Sequence, residues 1–186
     1  MQGSRFTVDT RRAATRGFSM AELMAVVAIV GILSMIGITS YRKYVAHAKT
    51  AEVLPMFANI KMAEEAYKDE TFTYLGPSAN LDSDVYPENT KPGLQKMLFA
   101  GGAKAKVWQQ LGVQATAPVL FVYACQAGTA TDNVPAPGTG ITIGNWPTTV
   151  AAPWYVVKAR ADIHGDGVPT VFVTSSFAGD LFSAHD

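Results

Sequence analysis

An uninterrupted apolar run near the N-terminus constrains this chain more than any other feature. The residues from Phe18 to Tyr41 carry a single charge, that of Glu22. As an α-helix, the run extends about 36 Å, and the hydrocarbon core of a membrane is about 30 Å thick. The run therefore predicts a membrane-spanning helix. Glu22 lies near its start, where a carboxylate is costly without a partner, and we expect that partner to come from another molecule.

The residues at the start of the run form a specific pattern. A basic leader is followed by Gly17, by Phe18, and by Glu22 four residues after Phe18. The segment Gly17-Phe18-Ser19-Met20-Ala21-Glu22-Leu23 resembles the processing site of type IV prepilins. The resemblance implies that a prepilin peptidase cuts between Gly17 and Phe18 and that the new Phe18 amine is N-methylated. It also implies that Glu22 pairs with the Phe18 amine of a neighbouring subunit during filament assembly.

The leader itself is basic and fits a cytoplasmic N-terminus. It carries Arg5, Arg11, Arg12 and Arg16 against Asp9, as the positive-inside rule favours. A secretory signal and an uncleaved anchor are the alternatives, but the apolar run is too long for a typical signal core. The rest of the chain, after Gly17, has 11 basic and 14 acidic residues, net −3, which gives no reason to expect nucleic acid as a main partner.

The second half of the helix, to about residue 70, is predicted to be amphipathic. Its apolar positions recur at spacings of three and four: Val53, Met56, Phe57, Ile60, Ala63 and Tyr67. The opposite side is predicted to carry Lys49, Glu52, Lys61, Glu65 and Lys68. We expect Glu64 to pair with Lys68, the apolar stripe to pack on a sheet, and Pro55 to bend the helix near Ala51 to Pro55.

The remaining chain predicts short helices and strands. Short helices are expected over Pro92–Phe99, with Leu94, Met97 and Leu98 facing inward, and over Ala103–Leu111. Strands are expected at Val119–Cys125, Ile141–Ile143, Trp154–Ala161, Val171–Ser175 and Asp180–Ser183. The fold class is therefore α+β. The type IV pilin fold implied by the resemblance has a long N-terminal helix packed on an antiparallel sheet of about four strands.

This organisation divides the chain into three parts. Residues 1–17 are a leader that is removed, residues 18–52 are the transmembrane and filament-core half of the helix, and residues 53–186 are the globular head. Cys125 is the one cysteine, so an intramolecular disulfide is impossible and the thiol is expected to be a small buried group.

The segment Asp162-Ile163-His164-Gly165-Asp166-Gly167 allows two interpretations. Asp162, His164 and Asp166 resemble the first half of a calcium loop, but Val173 stands where a bidentate glutamate belongs. A glycine-rich hairpin turn is the favoured alternative. Calcium therefore remains a weak candidate, and no other cofactor is predicted.

No enzyme is predicted, because no catalytic grouping occurs in the sequence. His47, His164 and His185 lack a metal-binding spacing and are expected at the surface. The three tryptophans, Trp108, Trp146 and Trp154, are expected in core or loop packing.

The resemblance implies a structural subunit of a type IV pilus or pilus-like filament, serving motility, adhesion or DNA uptake. Its implied partners are copies of itself, the prepilin peptidase, the assembly platform and motor, and minor pilins. Its implied locations are the bacterial inner membrane before assembly and an extracellular filament, or fimbrium, afterwards. The alternatives are a pseudopilin of a type II secretion system, which supports protein secretion, and a membrane-anchored binding domain that never polymerises.

Overall fold

The computed structural model describes residues 17–88 and 91–185. The leader prediction therefore lies outside the described residues, apart from Gly17. The chain divides into two compact units, the first ending at Arg42 and the second beginning at Lys43. The helices are α1 (Met20–Thr50), α2 (Val53–Thr71) and α3 (Ala105–Leu111). The strands are β1 (Val122–Gly128), β2 (Trp154–Ala161), β3 (Thr170–Ser175) and β4 (Phe182–Ala184).

The predicted single helix is interrupted where the sequence predicts a bend. Helix α1 ends at Thr50 and α2 begins at Val53. Pro55 has no N–H to donate to the carbonyl of Ala51, so the ladder lacks a hydrogen bond there. At the other end of α2, Phe72 adopts a left-handed conformation and its N–H donates to the Lys68 carbonyl, a common way to end a helix.

The sheet has four strands in the order β1-β2-β3-β4, and each pair of neighbours is antiparallel. The central register places Cys125 opposite Val157, and Lys158 opposite Val173. Strand β2 has the predicted bounds, whereas β1 begins three residues later than predicted. The α+β class, with a long N-terminal helix and a small antiparallel sheet, is confirmed.

Both faces of the sheet are covered. One face packs against α2 and α3, and its core includes Phe57, Ile60, Trp108, Tyr123 and Val157. The sequence predicts this contact. The other face is covered by loop residues that include Leu81, Val134 and Trp146, which pack around Trp154 and Val171 of the sheet. Because these loops lack a regular apolar period, the second layer has no counterpart in the sequence prediction.

Two predicted elements are wrong. Residues 92–99 form turns and isolated bridges rather than a helix, with Met97 bridged to Val119. Leu94 and Leu98 are exposed rather than inward-facing. Residues 141–143 also lie outside any strand. Pairing of Met97 with Val119 therefore prevailed over the helical spacing. The predicted helix around Trp108 is confirmed as α3.

Candidate functional site

The start of α1 carries a reciprocal set of hydrogen bonds between Ser19 and Glu22. The Ser19 backbone N–H and hydroxyl each donate to Glu22 Oε2 at 3.2 Å. The Glu22 N–H donates to Ser19 Oγ at 3.2 Å. This arrangement is a capping box, which satisfies backbone donors that a helix start otherwise leaves without partners. The spacing Ser-x-x-Glu before an apolar run is the sequence signal for it, and the sequence prediction did not use that signal.

Glu22 therefore has a local role besides the one implied by resemblance. Its side chain is exposed, and among the residues that the structure describes Oε1 accepts no hydrogen bond. The carboxylate can thus cap its own helix through one oxygen and accept a donor from another molecule through the other. Gly17 and Phe18 lie just before the helix and are exposed, so the bond between them is open to a protease. The cleavage, methylation and assembly roles of these residues stay predictions.

The side chains that follow Glu22 form a continuous apolar surface. Helix α1 has no buried residue, and its large apolar side chains between Phe18 and Tyr41 are 51% to 83% exposed. The helix is long and apolar enough to cross a membrane. The polar side chain of Thr39 is satisfied inside the helix, because its hydroxyl donates to the Ile36 carbonyl at 2.9 Å. Such a surface needs lipid or other apolar helices around it.

The segment with calcium-like spacing is a turn between β2 and β3. Asp162 Oδ1 accepts from the Gly165 N–H at 2.6 Å, and Oδ2 accepts from the Gly167 N–H at 2.9 Å. These backbone donors lower the pKa of Asp162. Asp166 accepts from the Val168 N–H, and His164 is exposed.

Backbone N–H groups of the turn itself donate hydrogen bonds to both carboxylates. Gly165 and Gly167 have the positive φ that such turns require. Among the described residues, no group of three or more histidine, cysteine, aspartate or glutamate side chains could hold a metal ion. The residues present therefore fit a turn better than a calcium site. Calorimetric titration of the full chain with millimolar calcium tests the alternative.

Sequence reasoning missed a buried carboxylate in the head. Glu64 is fully buried and accepts from the N–H groups of Leu75 and Gly76 at 2.9 and 3.1 Å, and from the Cys125 thiol at 3.2 Å. Burial raises the pKa of Glu64, and the hydrogen bonds only partly offset that rise. Lys68 instead lies 3.9 Å from Glu65. The predicted pair with Glu64 is wrong, since Glu64 lies on the buried stripe four residues after Ile60.

Two other side chains assigned to the polar side also contact the head. Glu52 accepts hydrogen bonds from the N–H of Leu120 at 2.9 Å, from the N–H of Phe121 and from the Tyr123 hydroxyl at 3.1 Å. Lys49 Nζ donates to the Ile163 carbonyl at 2.7 Å. The side of the helix that was predicted to be polar therefore also contacts the globular head.

Cys125 and two of the tryptophans occupy the core. The Cys125 side chain is fully buried, as predicted. Trp108 and Trp154 are also buried, and Trp146 is partly buried against Phe177. The prediction of core or loop packing for the tryptophans is confirmed.

The chain combines an exposed apolar helix that has a capped start with a four-stranded antiparallel sheet, an arrangement that is consistent with the type IV pilin fold. Comparison with known proteins confirms this resemblance. Type IV major fimbrial protein FimA of Dichelobacter nodosus is 37% identical over 86 residues, covering 44% of this chain and 52% of that protein. Fimbrial protein Q of Moraxella bovis is 40% identical over 68 residues, covering 36% of this chain and 43% of that protein.

A third relative is named for its processing. Prepilin peptidase-dependent protein D of Escherichia coli is 42% identical over 50 residues, covering 27% of this chain and 34% of that protein. The chain thus spans about half the length, or less, of these relatives. No family model and no solved structure matches it.

Proposed function

We propose that this chain is a structural subunit of a type IV pilus or pilus-like filament. The observation that carries the proposal is the apolar surface that extends from Phe18 through α1 to Tyr41 and is exposed throughout. In a membrane this surface contacts lipid, and in a filament it contacts the same helix of other copies. The transfer between the two exchanges one apolar environment for another, so the same apolar side chains serve in both.

The proposed sequence of events begins in the bacterial inner membrane. A prepilin peptidase cuts after Gly17, and the assembly platform and its motor extract the mature subunit into an extracellular fimbrium together with minor pilins. The similarity to a peptidase-dependent protein supports the cleavage step. Relatives named as fimbrial proteins support polymerisation and a structural rather than catalytic role. Motility, adhesion and DNA uptake are the processes that such a filament serves.

In this proposal Glu22 sets the register between subunits. Cleavage converts the Phe18 amide into a cationic amine, and Oε1 of a neighbouring Glu22, which accepts no hydrogen bond from the described residues, is its acceptor. A carboxylate and an ammonium that meet in an apolar interface stabilise each other strongly relative to either charge alone. Subunits out of register would leave both charges unpaired.

The test uses filaments sheared from the cell surface, analysed by intact mass and N-terminal sequencing. We expect a mature chain that begins at methylated Phe18. Glu22→Gln is the informative variant, because glutamine can still complete a capping box but carries no charge. Ser19→Ala is its control, because it removes the cap and keeps the carboxylate.

The proposal expects Glu22→Gln to abolish sheared filaments and Ser19→Ala to retain them. Filaments that persist in Glu22→Gln but not in Ser19→Ala would reduce Glu22 to a helix cap. A processed chain that never leaves the envelope would favour the pseudopilin alternative. An uncut chain that begins before Gly17 would favour the membrane-anchored binding domain.

A further inference from the structure

The turn between β2 and β3 holds His164 beside the last turns of α1. The Asp162 carboxylate fixes the turn through its backbone N–H groups, and Lys49 fastens the turn to α1 through the Ile163 carbonyl. Ile163 is buried next to this contact. The position of His164 is therefore set by the hydrogen bonds of Asp162, by the hydrogen bond from Lys49 and by the burial of Ile163.

A cavity of about 330 Å³ lies between this turn and the helix. It is lined by Lys43, Ala46, His47, Thr50, Ile163 and His164. Lys43 and His47 are four residues apart and share one side of α1. The Thr50 hydroxyl is occupied, since it donates to the His47 carbonyl at 2.9 Å.

The charges of the lining all have one sign. Lys43 is a cation, His47 and His164 are basic, and the lining contains no acid. The nearest carboxylates of the turn, Asp162 and Asp166, already accept hydrogen bonds from backbone N–H groups. Ala46 and Ile163 provide an apolar wall. A small anionic group attached to an apolar body matches this combination of basic and apolar surfaces.

The place of the cavity along the chain indicates which anion it meets. Lys43 and His47 follow the apolar run two and six residues after Tyr41. At about 1.5 Å per residue, they lie roughly 3 to 9 Å beyond the end of the run along α1. The headgroup layer of a bilayer occupies about the same distance outside the hydrocarbon core. Basic side chains at this depth can donate hydrogen bonds to the phosphates of lipid headgroups.

We propose that the cavity binds the phosphate of an anionic phospholipid headgroup while the chain is in the membrane. The Lys43 ammonium and the two imidazoles bind the phosphate, and Ala46 and Ile163 contact the glycerol region. This inference rests on the membrane stage of the proposed function. It gives the turn at Asp162 a role that needs no metal: the turn holds a histidine against a lipid.

The test uses native mass spectrometry of the full chain in detergent at about pH 6. Phosphatidylglycerol and phosphatidylcholine are the two probes. We expect the chain to retain phosphatidylglycerol preferentially. Loss of affinity is expected to be roughly fivefold in Lys43→Gln and greater in the double variant His47→Gln/His164→Gln. Lys43→Arg should retain the lipid.

His185→Gln is the matched control, because His185 lies after β4 and outside the cavity. Equal retention of the two lipids, or the same loss in His185→Gln as in the cavity variants, would overturn the proposal. Displacement of the lipid by inorganic phosphate at low millimolar concentration would also overturn it, because the cavity would then select free phosphate.

Insertion of the full chain into phosphatidylcholine nanodiscs separates this inference from the proposed function. A chain that inserts and shows no preference for phosphatidylglycerol contradicts only the lipid site. A chain that fails to insert contradicts the membrane stage of the proposed function and the lipid site with it.

Discussion

The two units of this chain treat polar and apolar groups in opposite ways. In the unit that ends at Arg42, the helix exposes its apolar side chains and buries none. In the described part of the unit that begins at Lys43, the core encloses the ionisable side chains of Glu64 and Lys158. The first unit needs only local backbone hydrogen bonds to form and depends on its surroundings for its surface. The second depends on partners within the same unit, so the same type of substitution should have opposite consequences in the two.

The strongest test of this difference concerns the ion pair behind the sheet. Lys158 Nζ donates to Asp82 Oδ1 at 2.6 Å and to the Thr139 carbonyl at 2.7 Å, and its side chain is only 1% exposed, against 39% for Asp82. Asp82→Ala strands the buried ammonium and should lower the free energy of unfolding by about 3 kcal/mol. Lys158→Met leaves a carboxylate that water still reaches, and should cost less, about 1 to 2 kcal/mol.

Urea unfolding of the detergent-solubilised chain, followed by tryptophan fluorescence, measures both values, because all three tryptophans are in the second unit. The two partners shape this expectation. Burial would raise the pKa of Asp82, but hydrogen bonds from Lys158 and Thr139 outweigh it and lower the pKa. Burial lowers the pKa of Lys158. Equal costs for the two variants would contradict the assigned asymmetry.

The next test concerns the carboxylate under the loop that follows α2. Glu64→Ala leaves the N–H groups of Leu75 and Gly76 without their acceptor, which should cost about 2 to 4 kcal/mol of unfolding free energy. Glu65→Ala is a matched control one position along. Glu65 is exposed and contacts Lys68 and Tyr74 at the surface, so its loss should cost less than about 1 kcal/mol. Similar losses of unfolding free energy for the two variants would contradict the buried, hydrogen-bonded position of Glu64.

The pH dependence of the unfolding free energy should show the direction of the pKa shift of Glu64. The folded pKa of Glu64 is raised by burial, so the folded state prefers the protonated form. Its contribution is present below the unfolded pKa and is lost as pH rises through the folded pKa. Unfolding free energy should therefore fall as the pH rises above 4.5, the ordinary pKa of a glutamate, by about 1.4 kcal/mol for each unit of pKa difference. A Glu64→Gln variant should show a flatter profile over this range, and an equally steep one would assign the effect elsewhere.

The smallest effect is expected in the first unit. Leu33 is a large aliphatic residue whose removal from a core would cost about 2 to 5 kcal/mol. Here it is 62% exposed, so Leu33→Ala should change the free energy of unfolding, followed by the tryptophan signal, by less than about 0.5 kcal/mol. A large change would mean that the apolar helix stabilises the head. Filament yield from the same variant gives a second measurement, which the proposed function expects to fall.

The sequence predicts elements well where an apolar period is regular. Strand β2 and the buried stripe of α2 follow directly from spacings of two and of three or four. Glu64 was misplaced because its charge outweighed its position, although it lies four residues after Ile60 on that stripe. Lys158 lies on a strand face that loops cover. The loops that cover it have no period, so pairing Asp82 with Lys158, distant in sequence, required the fold.

The candidate site follows the same division. The apolar run and its acid are plain in the sequence, and so is the preference of Asp162 to Gly167 for a turn. The meeting of His164 with Lys43 and His47 could not be predicted, because it depends on Lys49 reaching a carbonyl far along the chain. Local sequence patterns identify helices and strands. A cavity between two elements depends on which distant segments the fold brings together.

The hydrogen bonds of Glu52 have a mechanical consequence. The residue sits in the gap between α1 and α2, where a helix is weakest against stretching, and its carboxylate accepts from Leu120, Phe121 and Tyr123. A force applied along α1 is therefore transmitted through Glu52 to the segment that leads into β1. The interrupted backbone hydrogen bonds between α1 and α2 do not have to carry that force alone. In the filament proposed above, this single side chain would share a tensile load between the helix and the sheet, so the join between α1 and α2 would resist unfolding.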